Sequence, residues 1–140
     1  IKRYGTLAAL MFVDLDGFKG INDRYGHGAG DALLKVVARE LIGHVRASDV
    51  VGRIGGDEFG VIIWRVEEKQ AIAKARELET LIARVSITHG RNQISVAAGV
   101  GVAPLVEDSA PADVIAAADQ AMYARKDGRR GLPAAVSWGE

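Results

Sequence analysis

The chain has 140 residues, 49% hydrophobic and 26% charged, with 18 basic side chains balanced by 18 acidic ones. This composition specifies one compact α/β or α+β domain with a sizeable core and excludes a disordered chain. The charge balance argues against a general nucleic-acid or anionic-membrane binder, and the lack of cysteine excludes disulfides, thiolate catalysis and cysteine-ligated metals.

The longest apolar run, Leu7 to Val13, is too short to cross a bilayer and reads as a strand buried on both faces, closed by Asp14. Phe18 to Tyr25 reads as a short helix stopped by Gly26. From Gly30 to Val45, Leu34, Val37, Ala38, Leu41 and Val45 recur at helical spacing, and Arg46 closes the pattern. Val50–Ile54 and Phe59–Trp64 are strand-like and flank Gly55-Gly56-Asp57-Glu58, a hairpin signal in which glycine supplies the positive φ of primed turns. A second amphipathic helix is expected from about Glu67 to Ala83, with Ala71, Ala75, Leu78 and Ile82 on one face. Val85–Thr88 and Ile94–Ala103 flank the turn His89-Gly90-Arg91-Asn92 and predict a second hairpin. Ser109 and Pro111 open a last helix with the stripe Val114, Ile115, Ala118 and Met122, ended by Gly128. This order predicts an α+β domain, a mostly antiparallel central sheet flanked by helices. The chain starts at Ile1 without a signal-peptide pattern, so a cytoplasmic domain excised from a longer protein, either cytoplasmic throughout or membrane-anchored, is expected.

Two acidic clusters carry the chemistry. Asp14-Leu15-Asp16 stands where the first strand emerges, and alternation along an extended chain projects Asp14 and Asp16 to the same side. Carboxylates of this kind suit Mg²⁺, which takes one or two of them plus phosphates and water. Equally, Asp16 could cap the following helix while Asp14 merely ends the strand. Arg53-Ile54-Gly55-Gly56-Asp57-Glu58-Phe59 is more pointed, because a structural turn has no use for two adjacent acids followed by a large apolar residue. Glycines let the backbone approach a phosphate or sugar, Asp14 and Asp57 could share one cation, and Arg53 could meet a phosphate.

The segments Gly55-Gly56-Asp57-Glu58-Phe59, Asp14-Leu15-Asp16-Gly17-Phe18-Lys19, Ile21-Asn22-Asp23 with Tyr25-Gly26-His27, Ala29-Gly30-Asp31 and Ala118-Asp119-Gln120-Ala121-Met122-Tyr123 occur in one order. Together they resemble the GGDEF family, the diguanylate cyclases that condense two GTP molecules into cyclic di-GMP. The resemblance implies a palm-like fold shared with polymerases and class III adenylyl cyclases. It places a Mg²⁺ (or Mn²⁺) ion on Asp14, Asp57 and the backbone carbonyl of Leu15. It assigns Asn22 and Asp31 to the guanine edge, though Asp31 could also be a helix N-cap. Lys19 and Arg53 fall at positions that touch the β- and γ-phosphates. Phe18, Gly55 and Gly56 fall within the substrate-binding set. Glu58 takes a place that holds a second metal or assists the attacking 3′-hydroxyl. Such chemistry needs no nucleophilic side chain.

Arg46-Ala47-Ser48-Asp49 matches the family's inhibitory R-x-x-D site for cyclic di-GMP, although Arg46 is equally a helix C-terminal cation. Two departures stand out. The family's Y-x-A-K-x-x-G-R-N appears as Tyr123-Ala124-Arg125-Lys126-Asp127-Gly128-Arg129-Arg130, one residue short. Triphosphate contact therefore falls to Arg125 with Arg129, or to Lys126 with Arg130. The family's N-terminal helix with its D-x-L-T-G-L-x-N-R loop is also absent before Ile1. The implied partners are GTP, the cyclic di-GMP product, a second protomer for catalysis, and linked sensory or phosphodiesterase domains in the parent protein. Nucleic acid is not among them. A non-catalytic module binding GTP or cyclic di-GMP is the alternative, and a metal-dependent phosphohydrolase using the same acids is a third reading. His27 reads as a packing or hydrogen-bonding residue, and His44 and His89 as exposed.

Overall fold

A computed structural model describes residues 8–105 and 110–127. The chain runs β1 (Ala8–Asp16), α1 (Phe18–Tyr25), α2 (His27–Gly43), β2 (Val50–Arg53), β3 (Glu58–Trp64), α3 (Glu68–Ala83), β4 (Ser86–His89), β5 (Asn92–Ser95), β6 (Ala97–Leu105) and α4 (Pro111–Asp127). Four strands form one antiparallel sheet in the order β2-β3-β1-β6, and β4-β5 form a separate two-stranded ribbon. The α+β architecture with flanking helices is the one the sequence predicts.

The alternation of β1 sorts its side chains onto two faces. Ala9, Met11, Val13 and Leu15 enter the main core, where they meet Leu33, Val37 and Leu41 of α2 and Ala71, Ala75, Leu78 and Ile82 of α3. Phe12 enters a smaller core beneath α4, with Ala103, Ala118 and Met122. There α4 approaches β6 so closely that a Cβ on Gly101 would lie 2.1 Å from the backbone nitrogen of Met122. At the outer side of β6, the Val100 N–H donates to Glu79 Oε2 at 2.8 Å and its carbonyl accepts from Arg76 at 2.6 Å. Side chains of α3 thus close that edge position, which would otherwise be open to strand addition.

Several local expectations are corrected. The single strand expected over Ile94–Ala103 is two strands, β5 and β6, separated at Val96. Ile94, Val96, Ala98, Val100 and Val102 are all buried on one continuous alternation. Periodicity therefore hid the change of pairing partner from β4 to β1. Helix α2 begins at His27, three residues earlier than expected, with Gly26 (φ 94°) as its N-cap. Asp31 is therefore inside the helix and does not cap it. Gly17 (φ 67°) is the N-cap of α1, which has no side-chain cap from Asp16. His27 stands exposed at the start of α2, and His44 and His89 are exposed as expected. Ile115 is 49% exposed, and among the described side chains of α4 Ala118, Ala121 and Met122 are buried, while the Val114 side chain lies outside the described ones. Ser109 and Gly128 lie outside the described residues. The β4–β5 turn does use a left-handed glycine, Gly90 at φ 64°.

Candidate active site

The opening strand and the β2–β3 hairpin bring the two acidic clusters together. Antiparallel pairing sets Asp14 directly opposite Glu58, and the Leu15 N–H donates to the Asp57 carbonyl at 3.1 Å. One carboxylate oxygen each from Asp14, Asp57 and Glu58 lies within 4.8 Å of the others, and all three residues are half-buried. Asp16 stands outside this group. Three carboxylates so close repel one another unless a cation lies among them. An all-oxygen set of carboxylate donors fits a hard divalent ion such as Mg²⁺.

The connection from β2 to β3 spans Ile54–Asp57, and both the Ile54 and Gly55 N–H groups turn back to the Glu58 carbonyl, at 2.8 and 3.3 Å. Neither Gly55 nor Gly56 has positive φ, so the primed-turn expectation is corrected. Close approach explains Gly55 instead: a Cβ there would stand 3.2 Å from Glu58 Oε1, against the carboxylate that belongs to the acidic group. Beside Gly56 there is open space. The Arg53 side chain spans the bend, donating from Nε to the Gly55 carbonyl at 3.1 Å and from its terminal nitrogen to the Gly56 carbonyl at 2.8 Å.

Helix α1 starts immediately beyond β1, so its N-terminal turn and the exposed Lys19 lie next to the acids in the chain. Phe18 is buried, 6% exposed, and anchors this turn in the core. Asn22 projects toward α2, where the missing side chain of Gly30 makes room for it. A Cβ on Gly30 would lie 1.8 Å from Asn22 Oδ1. That oxygen is buried and has no hydrogen-bond partner. An unmet buried acceptor of this kind costs about 1–3 kcal/mol. Asp31, one residue beyond Gly30, is exposed and lines a cleft of about 400 Å³ with Leu34, Val51, Arg53 and Phe59. The structure thus brings together Asp14, Leu15, Asp57 and Glu58, and places Asn22 against the α2 turn that carries Asp31. Arg125 and Lys126 fall in the last turn of α4, and Arg129 and Arg130 lie outside the described residues.

At the other end of the hairpin, Arg46 and Asp49 form a clasp. Asp49 Oδ2 accepts from the Arg46 backbone N–H at 3.0 Å and from its Nε at 3.3 Å, while Oδ1 accepts from the Trp64 N–H at 3.0 Å. The Arg46 guanidinium also donates to the Trp64 carbonyl. Burial opposes ionisation of Asp49, but the Trp64 and Arg46 bonds and the Arg46 charge outweigh it and hold the carboxyl below its usual value. The clasp borders a second cleft of about 500 Å³, lined also by Arg65, Gln70 and Lys74. Arg65, the one non-glycine residue of positive φ among the described residues (54°), turns the chain from β3 toward α3. Sequence reasoning missed Arg65 and Lys74, which lack a motif and meet only through the fold.

The family model for the diguanylate cyclase GGDEF domain matches residues 1–131. The chain belongs to the GGDEF family. It is 40% identical over 127 residues to MucR of Pseudomonas aeruginosa, a bifunctional diguanylate cyclase/cyclic di-GMP phosphodiesterase, with 88% of this chain and 18% of MucR covered. The chain therefore spans under a fifth of that relative. The crystal structure of the GGDEF domain of TpbB (YfiN) from Pseudomonas aeruginosa superposes with a TM-score of 0.83 at 34% identity, covering 96% of this chain and 84% of that one. The GGDEF domain of DgcB from Caulobacter crescentus, solved in complex with cyclic di-GMP, also gives 0.83, at 26% identity, covering 93% and 78%.

Proposed function

We propose that this domain is a diguanylate cyclase that uses Mg²⁺ or Mn²⁺ to join two GTP molecules into cyclic di-GMP with release of two pyrophosphates. The observation that carries this is the convergence of Asp14, Asp57 and Glu58 at the end of β1 in a chain of this family. Asp14, Asp57 and the Leu15 carbonyl would hold the cation, and Glu58 stands beside them. When bound, the cation supplies Lewis-acid stabilisation of charge on the phosphoryl oxygens. Lys19 and the free N–H groups of the first turn of α1 receive the phosphates, as helix N-termini do. Asn22 and Asp31 read the guanine edge, with Asp31 accepting from the ring N–H and exocyclic amine. Basic residues of the Arg125–Arg130 segment complete the contacts to the triphosphate.

One domain orients one GTP. Its 3′-hydroxyl attacks the α-phosphate of the other GTP and pyrophosphate leaves, so closing the ring needs a second protomer presenting the reciprocal pair. The Arg46–Asp49 clasp and the cationic cleft beside it support product binding there, with a coupling of about 1–3 kcal/mol as ordinary feedback. The relatives' length supports attachment to other domains, with this one on the cytoplasmic side. Among the described residues no helix is long and apolar enough to cross a membrane.

Chromatography of the protein with GTP and Mg²⁺ tests the proposal, with cyclic di-GMP and pyrophosphate expected in a 1:2 ratio. Binding of GTP or cyclic di-GMP without turnover, at protein concentrations that favour dimers, would instead identify a receptor domain. Release of phosphate or GMP would identify a hydrolase.

A further inference from the structure

Arg53 holds the glycine bend by its two peptide planes. In a planar trans peptide the carbonyl of one residue and the N–H of the next point in opposite directions. With the Gly55 and Gly56 carbonyls both drawn to the Arg53 guanidinium, the N–H groups of Gly56 and Asp57 turn away from it. The sheet register tells which way that is. Arg53 pairs with Phe59, whose side chain enters the main core on the α2 side. Glu58 pairs with Asp14 on the opposite face. The turned N–H groups therefore face the side on which the carboxylates gather.

We propose that Arg53 is a positioning residue: it locks the Gly55–Gly56 peptides so that two backbone N–H groups and the Asp57 and Glu58 carboxylates are presented together on the face of Asp14. The presented set is a cation site flanked by two adjacent backbone donors for an anionic oxygen. Successive N–H groups of this kind bind phosphate without a charged side chain. This deepens the diguanylate cyclase reading and rests on it for the identity of the phosphate ligand, GTP. It assigns the arginine a different task from direct phosphate contact, since both of its bonds are made to the bend itself. A planar fork meets two carbonyls from two separate nitrogens in fixed geometry, whereas a lysine ammonium offers freely rotating donors from a single point.

The consequence has a definite sign. Removing a positive charge near three carboxylates should by electrostatics alone tighten cation binding. If Arg53 positions the bend, Arg53→Ala weakens it despite the lost charge. Loss of an outer-shell partner typically costs 10–100-fold in metal affinity. Arg53→Gln places a neutral N–H donor where the arginine Nε sits, so it keeps the Gly55 bond and should fall between the two.

The experiment titrates Mn²⁺ into the 140-residue protein by calorimetry and records amide ¹H–¹⁵N spectra of the native chain, Arg53→Ala and Arg53→Gln. The expected result is about tenfold weaker Mn²⁺ binding in Arg53→Ala and a smaller loss in Arg53→Gln, with shifts at Gly55, Gly56 and Asp57. Amides of β1 and α3 should stay in place, which excludes unfolding as the cause. Equal or tighter Mn²⁺ binding in Arg53→Ala, or bend amides that do not move, overturns the proposal. If the native chain binds no Mn²⁺ while Arg53→Ala still shifts the bend amides, the bend lock stands and the cyclase reading of the acids is what fails.

Discussion

The β2–β3 hairpin has an arginine and an aspartate at each end, and the two pairs are used in opposite ways. At the open end, Asp49 is spent within the protein: both its oxygens are bonded, and its side chain is only 2% exposed. At the bend, Arg53 bonds carbonyls and leaves the aspartate to the acidic group with Asp14 and Glu58. A carboxylate satisfied by the chain adds stability. Carboxylates crowded against one another sacrifice it for a ligand's benefit, as functional sites commonly do. The same residue types thus serve architecture at one end and chemistry at the other, and only their partners tell the two apart.

The largest expected effect separates the ends by activity. Asp57→Asn keeps the shape and removes the charge, so cyclic di-GMP synthesis should fall by about 100-fold or more. Its thermal midpoint should equal or exceed the native one, because repulsion with Asp14 and Glu58 is relieved. Calorimetry alongside the product assay checks both, and a marked loss of stability would erase the contrast. Asp49→Ala should do the reverse. It strands the Trp64 N–H and the Arg46 donors and should cost about 1–3 kcal/mol in denaturant unfolding.

The contrast sharpens with pH. The folded-state pKa of Asp49 is depressed, so its contribution is present above the unfolded carboxylate value and is lost as pH falls through the folded one. The stability gap between the native chain and Asp49→Ala should be constant from about pH 5 to 8 and narrow in more acid solution. A gap independent of pH down to 2 would mean that the carboxylate charge is irrelevant to the clasp. The smallest effect is expected of Gly55→Ala. Its Cβ presses on Glu58 Oε1 at 3.2 Å and should lower the rate only a few-fold, with an unchanged unfolding midpoint in denaturant.

Much of this was legible before any coordinates. Helix α3 announced its buried face at Ala71, Ala75, Leu78 and Ile82, and the family's segments named the acids that converge. What stayed hidden depends on pairing across distance. Alternation from Ile94 to Val102 runs unbroken through Val96, so no local pattern could show that β6 leaves β4 and β5 to join β1. The glycines of the bend suggested positive φ, whereas Gly55 is small because the Glu58 carboxylate lies against it. Arg46 and Asp49 were visible as a motif, but the bond from the Trp64 N–H to Asp49, fifteen residues away, appears only once β2 and β3 are paired.

The central claim is that Asp14 and Asp57 grip one divalent ion beside a guanosine triphosphate. Crystals grown with Mn²⁺ and a non-hydrolysable GTP analogue test it through the anomalous signal of manganese. A peak is expected about 2.1 Å from a carboxylate oxygen of each residue and next to the triphosphate. A nucleotide bound with its manganese elsewhere, or held with no ion touching Asp57, would contradict it.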